Sequence, residues 1–181
     1  MAVLHAGTYN KKIVFWAACL GILLFGIALI TLGSIAPDLR EKLDLNDIEA
    51  GTLFSILPFG ILTGSLLFGP VVDKSGYKLL LSLSCLLLFA GFEGVAFSSS
   101  QELLKIYIFF IGLGGGAVNG ATNALVSDIS DKDKAANLSL LGVFFGIGAL
   151  GMPLLLGLLR AKYSFETILA AVGILTLVTA F

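Results

Sequence analysis

Charged side chains are scarce in this sequence. Lys, Arg, Asp and Glu together make up 13% of its 181 residues, whereas an average soluble protein has roughly 25%. Apolar residue types make up 57%, so too little polar material is present to cover a globule in water. The formal net charge of −1 also leaves no basic field for nucleic acid. The composition therefore predicts a polytopic membrane protein that lies in lipid and does not bind nucleic acid.

Residues for enzymatic chemistry are nearly absent. The only histidine, His5, precedes the first apolar run, so a Ser–His dyad inside the membrane is excluded. No apolar run carries a pair of aspartates or a lysine near its middle, which argues against aspartyl and Ser–Lys hydrolysis. Cys19 and Cys85 lie in apolar runs without a CxxC spacing, so neither a disulfide framework nor a zinc site is supported. We therefore expect no enzyme activity, no metal and no cofactor.

Six apolar runs remain when the sequence is divided at its charged clusters. A helix of about 20 residues spans the hydrocarbon core of a bilayer, and five of the runs reach that length. The sixth is shorter, so we expect it to be an incomplete span. The fold class predicted is an all-α membrane protein with six transmembrane helices in one domain, residues 1–181. The predicted spans are 13–36, 50–72, 79–97, 103–127, 135–159 and 167–181.

The residues around the first run predict the orientation. Lys11 and Lys12 precede it, and the loop that follows is rich in acidic residues. Because basic residues favour the cytoplasmic side and the first helix usually dominates, we expect a cytoplasmic N-terminus in the cell membrane. The run is long and lacks a small-residue cleavage site, which indicates a retained helix rather than a signal peptide.

Glycine is abundant, with 22 residues, and part of it forms a G-x-G-x-x-G pattern at residues 146–151. A dinucleotide fingerprint follows a strand and opens a soluble helix, but this pattern lies in the middle of an apolar run. We interpret it as a site of close helix packing, with Pro153 permitting a bend. The residues assigned to packing and bending are Gly112, Gly116, Gly146, Gly148, Gly151 and Pro153. Such glycines serve either static bundle packing or sliding during a conformational cycle.

Asn119 and Asn123 are four residues apart and share one face of the fourth predicted helix. An amide left unpaired in hydrocarbon is costly, so this face must look into the bundle or into a wet cavity. Two interpretations stay open: the amides hydrogen-bond to other helices, or they bind a polar solute. An asparagine suits a ligand rich in hydroxyl groups because it donates and accepts hydrogen bonds without a charge.

Glu93 is the one carboxylate clearly inside a predicted span. It lies about one turn from the end of that span, so its side chain could extend to the interface and have a structural role. The alternative is a site for an ion or a proton, because intramembrane acids are commonly functional.

The junction of the second and third runs carries Gly69, Asp73, Lys74, Gly76 and Lys78 at the spacing G-x-x-x-D-[RK]-x-G-[RK]-[RK]. This spacing resembles the loop signature of the major facilitator superfamily, in which the loop is cytoplasmic. Tyr77 stands where a basic residue is common. Gly76 permits a tight turn, and Asp73 can cap a helix or pair with a cation.

Residues 112–157 resemble the fucose-permease and glucose-transporter-like branch of that superfamily. The matching motifs are Asn119-Gly-Ala-Thr-Asn123, Ala136-Asn137-Leu138 and the stretch from Phe144 to Pro153. The resemblance implies one half of a twelve-helix transporter, itself an inverted 3+3 repeat, with the solute site between two halves. The missing half would be a C-terminal six-helix unit. Proton symporters of the branch carry a carboxylate where this chain has Asn119, so the resemblance does not extend proton coupling to that position.

The function predicted is therefore a secondary transporter half that moves a small polar solute, a sugar, by alternating access. Whether it is a symporter or a facilitator stays open. The alternative is a six-helix assembly or scaffold subunit without transport of its own.

Overall fold

Helices account for nearly all of the computed structural model, which describes residues 10–130 and 133–180. Five of the six apolar runs lie entirely within a helix, and the sixth is helical up to Val178. Four of the described helices are long and apolar enough to cross a membrane. The fifth is shorter, and Phe181, the last residue of the sixth predicted span, lies outside the described residues. The helices of the described part are α1 (Lys11–Leu43), α2 (Asp47–Phe97), α3 (Gln101–Ile129), α4 (Lys134–Leu159) and α5 (Phe165–Val178).

Helix α2 contains both the second and the third apolar run. Its 51 residues would extend for about 76 Å if they were straight, more than twice the hydrocarbon thickness. Gly76 interrupts it with φ 78° and ψ 166°, a conformation that is essentially restricted to glycine. The helix is thereby divided into a first arm, residues 47–75, and a second arm, residues 77–97.

The two arms of α2 both pack against α3 and are antiparallel to each other. In the first arm, contacts move toward the C-terminus of α3 as the residue number rises, whereas in the second arm they move the opposite way. Gly76 is therefore the turn of a helical hairpin. The contacts are Gly60 with Phe109, Phe68 with Gly120, Ser84 with Gly114, and Gly91 with Tyr107.

Short connections fold the remaining helices back on one another. Asp44 ends α1 in the left-handed conformation with φ 50°, and Asn46 begins α2 with a capping box. Asn46 Oδ1 accepts from the backbone N–H of Glu49 at 3.0 Å, and Glu49 Oε2 accepts from the N–H of Asn46 at 2.9 Å. We call this side of the bundle the Asp44 end and the opposite side the Gly76 end.

Glycines bring α3 and the first arm of α2 into backbone contact. A Cβ added at Gly64 would overlap the carbonyl of Leu113, and one added at Gly112 would overlap the carbonyl of Leu57. Gly116 has the same relation to Ile61. These helices therefore approach as closely as backbone atoms allow, as in other small-residue membrane interfaces.

The G-x-G-x-x-G stretch of α4 packs through its middle glycine only. A Cβ at Gly148 would overlap the Leu23 carbonyl of α1, and Gly26 of α1 lies equally close to Phe145. An added Cβ at Gly146 or Gly151 would meet no atom within 4 Å. The packing expected at these two glycines is therefore not made within the described residues, because a helix of 3.6 residues per turn directs them away from α1.

Candidate functional site

Asn119 and Asn123 lie on a strip of α3 between two packed neighbours. On one side Val118 and Thr122 contact Gly21 of α1, and on the other side Gly120 lies against Phe68 of the first arm of α2. Helical geometry puts both amides between these contacts. Asn123 is exposed and Asn119 is half-buried, whereas Thr122 is fully buried. We call the surface formed by Asn119 and Asn123 the amide strip.

The two amides are hydrogen-bonded to each other. Asn123 Nδ2 donates to the Asn119 backbone carbonyl at 2.9 Å and to Asn119 Oδ1 at 3.1 Å. Thr122 Oγ1 instead donates to the Val118 carbonyl at 2.8 Å, so its hydroxyl group is hydrogen-bonded within α3. Within the described residues neither amide bonds to another helix. The strip thus keeps free the Asn119 amide N–H groups as donors and Asn123 Oδ1 as an acceptor.

The described helix segments around the amide strip carry no charged residue. Residues 13–37 of α1, 50–72 of α2 and 106–127 of α3 contain no Asp, Glu, Lys or Arg. The strip is therefore a neutral hydrogen-bonding surface within an apolar setting, where such bonds are strengthened by the low dielectric. It suits a polar, uncharged ligand better than an ion, whose charge would find no partner.

The predicted loop motif lies at the Gly76 end. Asp73, Lys74 and Lys78 are exposed there, and Gly69 has open space beside it. Asp73 caps no helix, because the first arm continues through it to residue 75. The cap and cation pair suggested for Asp73 are thus not formed in the described residues, and its charge acts instead on Tyr77.

Tyr77 fixes the hairpin turn to α3. Its hydroxyl donates to Asp128 Oδ2 at 2.7 Å. Burial raises the pKa of Tyr77 strongly, and the hydrogen bond to Asp128 and the negative charges of Asp128 and Asp73 raise it further. The phenol is therefore neutral and remains a donor. Sequence reasoning singled out Tyr77 but missed Asp128, 51 residues away, because nothing local connects them.

Two ionic contacts fasten α1 at the Asp44 end. Arg160 at the end of α4 pairs with Asp38 and donates to the Ser34 carbonyl at 2.9 Å. Lys42, four residues after Asp38, lies 3.4 Å from a carboxylate oxygen of Glu166 at the start of α5. The α4–α5 connection is therefore fixed to the last turns of α1. Neither pair was predicted from the sequence, since their members are more than 100 residues apart.

The side-by-side packing of long apolar helices indicates a membrane-spanning protein. The sequence profile described as Major Facilitator Superfamily matches residues 18–181. The chain belongs to this superfamily, as the loop motif indicated. Its members are transporters, not enzymes.

Relatives with known roles differ in their solutes. The sodium-dependent glucose transporter 1 of Rattus norvegicus is 31% identical over 143 residues, which are 79% of this chain and 29% of the relative. The 4-hydroxybenzoate transporter PcaK of Acinetobacter baylyi is 34% identical over 104 residues, 57% of this chain and 22% of the relative. The chain thus spans less than a third of the length of these curated relatives.

The solved structure of the proton:xylose symporter XylE, bound to 6-bromo-6-deoxy-D-glucose, has the same fold. The TM-score is 0.82 at 17% identity, and the match covers 95% of this chain and 44% of the symporter. At this identity the likeness concerns the fold alone. It agrees with the helical arrangement described above.

Proposed function

We propose that this chain is one half of a secondary transporter that moves a sugar across the cell membrane by alternating access. The observation that carries the proposal is the amide strip, with its free donor and acceptor on α3 of a major facilitator chain. A sugar hydroxyl both donates and accepts, so one hydroxyl or two adjacent ones can use both groups of the strip.

The absence of charge around the strip favours a sugar over an aromatic acid. A carboxylate ligand would need a cationic partner on desolvation, and the helix segments that border the strip contain none. The described cations lie at the two ends of the bundle, as with Arg160 and Lys78. The solute proposed for this chain therefore differs from the 4-hydroxybenzoate named for the PcaK relative.

The proposal also assigns six transmembrane segments to the chain. The two antiparallel arms of α2, together with the other four helices, give six, which two groups of three in an inverted repeat would accommodate. A second six-helix half would cover faces that are open here. On α4 these include Gly142, Gly146 and Gly157, where an added Cβ would meet no atom within 4 Å.

In this proposal the Gly76 end is cytoplasmic. The start of α1 lies at the same end as the Gly76 turn, because the hairpin and short connections alternate the helix directions. Basic residues lie at both ends of the bundle, so the orientation is proposed from Lys11 and Lys12, which lie at the start of α1, because the first helix usually dominates.

Uptake into liposomes tests the proposal. The complete transporter is expected to give saturable uptake of labelled D-glucose or D-xylose, with 4-hydroxybenzoate as the acid comparator. The 181-residue chain alone is expected to give none, because a site shared by two halves then loses about half of its contacts. Saturable uptake of the acid without either sugar would contradict the proposed solute class. Absence of flux for all three solutes in a folded, complete protein would favour the scaffold alternative.

A further inference from the structure

Glu93 occupies the interface between the second arm of α2 and α5, away from the amide strip. It is the only charged residue in α2 between Lys78 and the end of the helix at Phe97. Its Oε1 atom is buried and has no hydrogen-bond partner within the described residues. A carboxyl oxygen in such a position calls for an explanation, since buried polar atoms are almost always paired.

The space for this carboxyl group comes from a glycine on the facing helix. A Cβ added at Gly173 of α5 would lie 2.7 Å from Glu93 Oε1 and 3.3 Å from its carboxyl carbon. Any side chain at position 173 would therefore displace the carboxyl group. The interface therefore holds Oε1 of Glu93 in a recess beside Gly173, although the residue as a whole is half-buried.

Three titratable groups lie on the neighbouring helices at the Asp44 end of the bundle. They are Lys42 of α1, Glu166 of α5 and Tyr107 of α3, whose ring lies against Gly94. Lys42 is the only cation among them. Its Nζ donates to the Ala96 carbonyl at 2.9 Å, lies 3.4 Å from Glu166 Oε1 and is 5.4 Å from the centre of the Phe165 ring.

Lys42 is therefore already paired. It contacts Ala96, three residues beyond Glu93, and no contact joins it to the Glu93 carboxyl group within the described residues. A carboxyl oxygen buried without a cation or a donor is less costly in the neutral group than in the carboxylate.

We propose that Glu93 is a proton-binding site at the interface of α2 and α5. Proton binding neutralises the carboxyl group beside Gly173 and keeps α2 and α5 together. Loss of the proton leaves a charge at this interface for which the described residues provide no contacting cation.

Infrared spectroscopy of the purified chain, in a detergent without ester groups, tests the proposal. A protonated carboxyl group gives a C=O stretching band that moves to lower frequency in D2O. We expect such a band at pH 7, and we expect Glu93→Gln, which preserves shape and neutrality, to remove it. The matched control Glu102→Gln alters an exposed carboxylate paired with Lys105, and it should leave the band unchanged.

Absence of the band in wild-type protein at pH 7 would overturn the proposal, as would a band that survives Glu93→Gln. Loss of the band on adding Na⁺ at constant pH would also overturn it, because the site would then bind a metal cation.

Discussion

Substituting Gly64 by alanine tests the close packing of α2 on α3. The added Cβ would overlap the Leu113 carbonyl and lie 2.8 Å from the backbone nitrogen of Ala117. Both neighbours are backbone atoms, so no side chain can rotate away and the helices must separate. Overpacking of this kind costs about 1 to 3 kcal/mol, while alanine in a helix regains about 0.5 to 1 kcal/mol relative to glycine. We expect a net destabilisation of up to about 2.5 kcal/mol.

The matched control is Gly142→Ala in α4, where an added Cβ meets no atom within 4 Å. This variant should gain about 0.5 to 1 kcal/mol from helix propensity alone. Unfolding of the 181-residue chain in mixed micelles, followed by circular dichroism during a titration with dodecyl sulfate, compares the two variants. The packing described for α2 and α3 would be refuted if Gly64→Ala were as stable as Gly142→Ala.

Three further predictions concern residues at the two ends of the bundle. Tyr77→Phe should lower the free energy of unfolding by up to about 1 kcal/mol, because the Asp128 carboxylate loses its donor; thermal unfolding measures this. Burial raises the pKa of Glu166, but its hydrogen bonds and the charge of Lys42 outweigh this and hold the pKa below 4.5. The pair of Lys42 and Glu166 stabilises the fold by up to about 1 kcal/mol. This stabilisation is present above the pKa of Glu166 in the unfolded state, and it is lost as the pH falls through the pKa of Glu166 in the folded state. The melting temperatures of wild type and Glu166→Gln should therefore converge in acid. A cysteine at Ser75 should react with an impermeant maleimide only after cells are permeabilised.

The first of these predictions has a control variant, and the other two have a result that would contradict them. Tyr163→Phe removes an exposed hydroxyl that forms no hydrogen bond in the described residues, and it should leave stability unchanged. A difference between wild type and Glu166→Gln that persists at pH 2 would contradict the assigned direction of the pKa shift. Labelling of the Ser75 cysteine in intact cells would show that the Gly76 end faces outward.

The helices were predictable because their signal is local. Five of the six apolar runs lie entirely in a helix, and the hydrogen bond between Asn119 and Asn123 agrees with the shared face that their four-residue spacing indicated. The turn at Gly76 was also visible, since a glycine in a polar cluster separates two apolar runs. The shortness of that turn was not predicted, because the polar residues before Gly76 remain helical up to residue 75.

The contacts between distant residues were not predictable from one sequence. Arg160 and Asp38 are 122 residues apart, and their pairing depends on how α4 packs against α1. The same limit applies to the glycines of α4. Gly146 and Gly148 look equivalent in the motif, but only Gly148 lies against α1, because their directions differ by about 200° around the helix. The rotation of α4 about its axis decides which of the two glycines faces α1, and that rotation depends on helix packing.

Solute binding to alanine variants of the amide strip tests the central claim most directly. In the complete transporter, Asn119→Ala or Asn123→Ala removes one or two hydrogen bonds to the sugar, at about 0.5 to 1.5 kcal/mol each. The affinity measured by titration calorimetry should fall roughly 2- to 150-fold while the melting temperature changes little. Asn137→Ala is the control, because Asn137 bonds to Ser130 at the Gly76 end, and it should retain wild-type affinity. Unchanged sugar affinity in both folded strip variants would contradict the account.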